Sequence, residues 1–154
     1  MTNTTFRLAP WADVLYAMDK KWWETYQGEV LNAFPGERVS LAKMLPRYRV
    51  TQIDALKHYG NSGAAAISLA AHRGAKRIIL LGYDCQHTGG KAHWHGDHPR
   101  NLGNARSVTL WAENFAKLAA DLAEKGVTVI NASRETALEC WPREDLGGAL
   151  EAAG

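Results

Sequence analysis

The densest group of chemically reactive side chains is a histidine-rich stretch between residues 85 and 98. It holds four histidines within twelve residues: His87, His93, His95 and His98. Imidazole exchanges a proton near neutral pH, so these side chains could act as general acids or bases, or bind a substrate. They could also bind zinc together with Asp97, although their spacing matches no specific metal motif. A polar surface loop with incidental histidines is the third interpretation.

A buried strand is predicted immediately before this stretch. Residues 76–81 end in a continuous apolar run, which is typical of parallel strands covered on both faces. Ligands of open α/β sheets bind at the carboxyl ends of the strands, so Asp84 lies at a candidate site. Its carboxylate could accept a hydrogen bond from a ligand hydroxyl, or it could order the loop predicted over residues 85–104.

A helix start is predicted at Asn61-Ser62-Gly63. Asn61 or Ser62 can act as the N-cap, residues 64–73 continue the helix, and Gly74 suits its end. The free N–H groups of a first helical turn attract anions, so this position could hold a phosphate. Capping without any ligand is the other interpretation of the same residues, and the more common role of such a helix start.

The other elements alternate between strands and helices. The sequence predicts strands at 13–18, 38–41, 48–53 and 127–131, and helices at 20–34, 105–125, 136–139 and 146–152. Helix 105–125 has one apolar face, formed by Val108, Trp111, Phe115, Leu118 and Leu122. This alternation predicts one α/β domain over residues 1–154, a Rossmann-like three-layer arrangement with a mostly parallel sheet.

Composition narrows the range of functions. The chain has 154 residues, 46% hydrophobic and 22% charged, with a net charge of +2 and scattered basic side chains. A dedicated nucleic-acid binder would carry a clustered basic stripe, so nucleic acid is not an expected partner. No apolar run approaches the length of a membrane span. The two cysteines form no disulfide framework, which favours a cytoplasmic location.

Two segments carry a family resemblance. Residues 61–65 and 74–84 resemble the second half of the bacterial sialyltransferase-like superfamily, which includes the motility accessory factor proteins. Residues 8–13, 19–23 and 131–133 are similar to segments of phage- and prophage-encoded proteins, some of them described as morphogenetic. That second resemblance extends over essentially the whole chain.

The resemblance implies a nucleotide or nucleotide-sugar site, with a cytidine nucleotide-sugar as the substrate of an active glycosyltransferase-like enzyme. The nucleotide-binding positions it implies are Asn3, Asn61, Ser62, Gly63, Asp84 and Gln86. Asn3 would contact the base or ribose, and Ser62-Gly63 would open a helix beside the nucleotide. His95 or His98 would act on the phosphate or leaving group. Gln86 stands where the family has a tyrosine.

The resemblance also implies a glycine-rich strand and loop ahead of Asn3, so we expect an N-terminally truncated domain. An exposed sheet edge would follow, which self-association into a homodimer could cover. Two alternatives stay open beside the nucleotide-sugar interpretation. One is a non-enzymatic phage accessory or morphogenesis protein that contacts a phage or host protein through exposed tryptophans: Trp11, Trp22, Trp94 and Trp141. The other is a small metalloprotein built on the histidine-rich stretch.

Overall fold

A computed structural model describes residues 1–44, 46–86 and 108–151, with the backbone alone for residues 108 and 109. Short 3-10 helices occupy Asn3–Arg7 and Pro46–Tyr48. The strands are β1 (Val14–Tyr16), β2 (Glu37–Ser40), β3 (Thr51–Gln52), β4 (Arg77–Leu80) and β5 (Thr128–Asn131). The helices are α1 (Lys20–Ala33), α2 (Ser62–His72), α3 (Val108–Glu124) and α4 (Leu146–Glu151).

Every strand pair among the described residues is parallel, and the mixture of helices with parallel strands confirms the predicted α/β class. The strands β1, β2 and β3 form one sheet in that order, with Leu15 opposite Arg38. The strands β4 and β5 form a second sheet, with Ile78 opposite Val129. Within the described ranges no strand of one sheet pairs with a strand of the other. We call β1–β3 with α1 the first half, and β4–β5 with α3 and α4 the second half.

Aromatic side chains fill the core of the first half. Trp22 and Trp23 of α1 lie edge to face with ring centroids 5.0 Å apart, and both are buried. Trp23, Val30 and Phe34 recur at intervals that keep one face of α1 towards β1. Pro35 follows the residue that caps α1, and a proline there cannot continue the helix.

The core of the second half is mainly aliphatic. Phe115, Leu118 and Leu122 of α3 are buried, which confirms the apolar face predicted for this helix. In β4 only Leu80 is buried, whereas Ile78 and Ile79 are partly buried. Within β4, therefore, only Leu80 is as buried as the prediction of a strand covered on both faces requires.

Helix α2 packs against the strands of both halves. Its Ala65 and Leu69 are buried in a cluster with Tyr16 of β1, whereas Ala64 and Ile67 are buried in the core of the second half. Small side chains let the helix approach both groups of strands closely. This shared helix joins the two halves, although their strands do not hydrogen bond to one another within the described residues.

Most predicted elements differ from the structure only at their ends, but two differ more. The helix predicted at residues 136–139 is wrong: Thr136 Oγ1 accepts the N–H of Leu138 at 3.1 Å and holds this segment as a loop. The strand predicted at 48–53 is shortened to β3 because Arg49 has a positive φ of 51°, which interrupts extended backbone. No helix in the described ranges is long and apolar enough to cross a bilayer.

Candidate functional site

An open cleft of about 1030 Å³ lies at the carboxyl ends of β4 and β5. Three short segments line it: the residues after β4, those after β5, and those that lead into α4. The lining residues are Leu81, Gly82, Asp84, Ala132, Ser133, Arg134, Glu135, Arg143, Glu144, Asp145 and Leu146. Among the polar lining residues, only Asp84 was a predicted site residue.

The turn out of β4 begins at Gly82. Its φ of +71° lies in the left-handed region, where a side chain is strained, so glycine suits this position. The next residue, Tyr83, donates its backbone N–H to Ser133 Oγ at 2.8 Å. Its carbonyl accepts the hydroxyl of Thr136 at 2.7 Å, and Ala137 N–H donates to the Asp84 carbonyl at 2.8 Å. The two walls of the cleft are thus bonded to each other.

The buried side chain of Asn131 fixes the loop after β5. It is fully buried, its Oδ1 accepts the N–H of Ser133 at 3.0 Å, and its Nδ2 donates to Thr136 Oγ1 at 3.1 Å. Its backbone N–H donates to the carbonyl of Pro142 at 2.9 Å. A buried amide with all these bonds made holds the cleft wall in one arrangement. The site is therefore preorganised on its protein side.

Charges of both signs surround the cleft. Arg143 donates through Nη2 to the carbonyl of Arg134 at 2.8 Å, so it supports the loop, whereas the Arg134 side chain is exposed. The lining carboxylates are Asp84, Glu135, Glu144 and Asp145. Asp145 Oδ1 accepts the N–H of Gly148 at 3.1 Å at the start of α4. A guanidinium suits phosphate or carboxylate, and carboxylates suit hydroxyl groups.

The first turn of α2 is occupied by contacts within the protein. Asn61 is the N-cap, as predicted, and its Oδ1 accepts the N–H of Ala64 at 2.8 Å. The buried hydroxyl of Ser62 accepts the N–H of Met18 at 3.3 Å. Both bonds have structural roles, which agrees with the interpretation of this start as capping.

Tyr83 covers the other side of that turn. Its hydroxyl donates to the carbonyl of Gly63 at 3.1 Å, and burial raises the pKa of the phenol. A Cβ at position 63 would lie 3.2 Å from the Tyr83 ring, so the close approach of the ring favours glycine. The carboxyl ends of β1 and β4 are therefore held on either side of α2 through Ser62 and Gly63.

The remaining predicted residues are divided between the halves. Asn3 begins the 3-10 helix beside β1 in the first half, with a positive φ of 48°. Gln86 lies after β4, and its Nε2 donates to Glu135 Oε2 at 3.5 Å across the cleft wall. The structure thus brings Asp84 to the cleft and Gln86 into contact with the lining residue Glu135. It places Asn61, Ser62 and Gly63 at the start of α2 behind Tyr83, and Asn3 in the first half.

The histidine predictions fall outside the described residues. His95 and His98, as well as His87 and His93, belong to the segment between residue 86 and α3, so their roles stay predictions. Among the residues that the structure does describe, no group of three or more histidine, cysteine or acidic side chains could hold a metal ion.

The residues around Ser133 could have been found by the rule that singled out Asp84. A strand was also predicted at 127–131, and residues 132–135 follow its carboxyl end. The approach of residues 143–145 had no sequence signal, because it depends on the pairing of Asn131 with Arg143. No family model, no curated protein and no solved structure matches this chain.

Proposed function

We propose that this chain binds a nucleotide or nucleotide-sugar in the cleft at the carboxyl ends of β4 and β5. The observation that carries the proposal is the position of the cleft, because ligands of open α/β folds bind beyond the carboxyl ends of parallel strands. The resemblance of residues 61–65 and 74–84 to the sialyltransferase-like superfamily supports the ligand class, and the parallel pairing of β4 with β5 is consistent with it.

The polar groups of the cleft fit the two ends of such a ligand. Arg134 is exposed and forms no salt bridge with another described residue, so its guanidinium is available for a phosphate. Glu135 and Asp84 provide oxygens that accept hydrogen bonds from ribose or sugar hydroxyls. A cleft of about 1030 Å³ is large enough for a ligand of this size.

A catalytic role would need an acid or base, and the proposal assigns it to His95 or His98. The segment that carries them follows Asp84, which lines the cleft, and Gln86, which contacts the lining residue Glu135. If the chain transfers a sugar, one imidazole would protonate the leaving group or act on the phosphate. A chain that binds the nucleotide without turnover would need neither histidine.

Calorimetric titration with cytidine monophosphate, in buffer with and without a chelator, tests the proposal. We expect saturable binding that survives chelation and weakens by about tenfold in Arg134→Ala, since a charge-assisted bond contributes roughly 1.5 kcal/mol or more. Lys21→Ala removes a positive charge from the exposed face of α1 and should leave binding unchanged. Absence of saturable binding up to millimolar nucleotide in both buffers would refute the proposal.

Ser62→Ala separates the cleft from the first turn of α2. If the nucleotide lies in the cleft, Ser62→Ala costs stability through the lost bond to Met18 and leaves affinity unchanged. If affinity falls in Ser62→Ala and stays unchanged in Arg134→Ala, the ligand is at the helix start, and the cleft assignment is wrong.

A second candidate function is protein contact by a phage accessory protein. Trp11 is 81% exposed and Leu8 is 61% exposed, on the turn that leads into β1. Trp22 and Trp141 are buried, and Trp94 is outside the described residues, so Trp11 is the predicted contact tryptophan that the structure leaves exposed. Sedimentation over a range of concentrations tests self-association: a dimer that dissociates in Trp11→Ser supports this function, and a monomer throughout contradicts the homodimer.

A further inference from the structure

The two cysteines of the chain lie on the two segments that wall the cleft. Cys85 follows β4 and Cys140 follows β5, and both thiols are free and partly buried. Both side chains pack against the same hydrophobic core, that of the second half. Fifty-four residues separate them in sequence, so the fold alone brings them to one place.

Hydrogen bonds on both sides of Cys85 hold its segment against the one that leads to Cys140. On the preceding side, the Asp84 carbonyl accepts the N–H of Ala137 at 2.8 Å. On the following side, Gln86 Nε2 lies 3.5 Å from Glu135 Oε2. Cys85 itself has a positive φ of 50°, which is uncommon for a residue with a side chain.

Burial makes both thiols weaker acids. It raises the pKa of Cys140 to about 11, with a smaller contribution from the charge of Cys85. Burial raises the pKa of Cys85 as well. Both thiols are therefore protonated at neutral pH, and they react slowly there.

We propose that Cys85 and Cys140 form an intramolecular disulfide when the chain meets a small-molecule disulfide such as oxidised glutathione. One cysteine thiolate attacks a glutathione sulfur, forms a mixed disulfide and releases one glutathione thiolate. The second cysteine thiolate then attacks the protein sulfur of that mixed disulfide and releases the other glutathione. Two protein thiols are oxidised, one glutathione disulfide is reduced, and the two protons pass to solvent or to glutathione.

The disulfide joins the segment after β4 to the segment after β5, so it covalently closes a wall that hydrogen bonds already close. It needs no ligand in the cleft, and its formation is independent of the nucleotide proposal. Reduction by a dithiol reverses it. The pair is thus a reversible modification site beside the cleft.

Mass spectrometry of the reduced chain, before and after oxidised glutathione at mildly alkaline pH, tests the proposal. We expect a monomer that loses the mass of two hydrogens and both alkylatable thiols. Trypsin should then release a disulfide-linked pair of peptides, residues 78–91 and 135–143. The oxidised chain should also melt at a higher temperature than the reduced chain, because the bond restricts the unfolded state.

Two controls make the result decisive. Unfolding in urea should slow ring closure by about tenfold or more, because the fold no longer holds the thiols together. Cys85→Ser and Cys140→Ser should each stop at a single glutathione adduct. A wild-type chain that keeps two alkylatable thiols, carries two glutathione adducts, or forms only disulfide-linked dimers would overturn the proposal.

Discussion

The two halves use the carboxyl ends of their strands differently. In the first half these ends are filled by the protein itself: Trp23 Nε1 donates to the Ala17 carbonyl at 3.0 Å, and Ser62 Oγ accepts the N–H of Met18 at 3.3 Å. In the second half the equivalent edge opens into the cleft lined by Ser133 and Arg134. Each parallel sheet has one edge that is formed by the carboxyl ends of its strands. The side chains that follow the strands determine whether this edge is filled by protein or forms a cleft.

The largest predicted effect on stability comes from removing the side chain that fills the strand ends of the first half. Trp23→Ala removes a side chain that is 1% exposed, together with its bond to Ala17. We expect the free energy of unfolding to fall by about 3–5 kcal/mol, as for other buried aromatic truncations. Urea denaturation measures it. A loss below about 1 kcal/mol would show that the indole does not close this edge.

A matched pair of substitutions compares the polar groups of the two edges. Asn131→Ala removes the amide that fixes the cleft loop and leaves partners of Ser133 and Thr136 unsatisfied, at a cost of about 2 kcal/mol. Ser40→Ala removes a fully buried hydroxyl in the first half, at a cost of about 1 kcal/mol. Only Asn131→Ala should weaken cytidine monophosphate binding in calorimetry. Equal weakening by both would contradict the assignment of function to the second half.

Replacing tyrosine by phenylalanine should affect the free energy of unfolding differently at two buried positions. Tyr83→Phe removes the bond to the Gly63 carbonyl and should lower the free energy of unfolding by about 1 kcal/mol. The buried hydroxyl of Tyr16 has no partner among the described residues, so Tyr16→Phe should leave stability unchanged or raise it by up to about 1 kcal/mol. Thermal unfolding of the two variants side by side checks this. A loss in Tyr16→Phe as large as that in Tyr83→Phe would mean that the Tyr16 hydroxyl is bonded.

The same tyrosines predict how stability depends on alkaline pH. Burial, aided by the charge of Asp19, raises the pKa of Tyr16 to about 12, and burial also raises the pKa of Tyr83. A folded pKa above the unfolded value of about 10 means that stability is fully present below pH 10. It is lost as the pH rises towards 12. Urea midpoints across this range should fall, and should fall less in Tyr16→Phe; an unchanged slope would contradict the assignment.

The smallest predicted effect is at the exposed patch. Trp11→Ser should change the free energy of unfolding by less than about 0.5 kcal/mol, because the side chain is 81% exposed. Chemical denaturation at low protein concentration measures this separately from any self-association. A larger loss at low concentration would show that Trp11 supports the fold of the first half.

Local signals predicted helix α2 and the strands that lead to the cleft. The N-cap at Asn61, the left-handed glycine at Gly74, and strands β4 and β5 all follow from residue types over a few positions. The shared role of α2 could not be predicted in this way. A helix that is apolar on several faces shows that it is buried, but its sequence does not say which strands it contacts.

The candidate site was predicted only in part, because local sequence does not show which distant segments come together. Asp84 follows a strand whose apolar run marks it, whereas Arg143 reaches the cleft through a bridge to Asn131 that depends on tertiary structure. The predicted helix at 136–139 failed because the hydroxyl of Thr136 bonds to the Tyr83 carbonyl, which is remote in sequence. Side chains that bond to distant backbone override local preference.

Helix α2 packs against both halves, and this arrangement affects how the chain unfolds. Ala65 and Leu69 of α2 are needed by one group of strands, and Ala64 and Ile67 are needed by the other. If α2 melts, the cluster around Tyr16 and the core of the second half lose part of their buried surface at once. We therefore expect the two halves to unfold together. Slowly exchanging amide hydrogens in β2 and β4 should therefore report one common opening free energy. Helix α2 thus couples the unfolding of the first half, whose strand ends are filled by protein, to that of the second half, whose strand ends form the cleft.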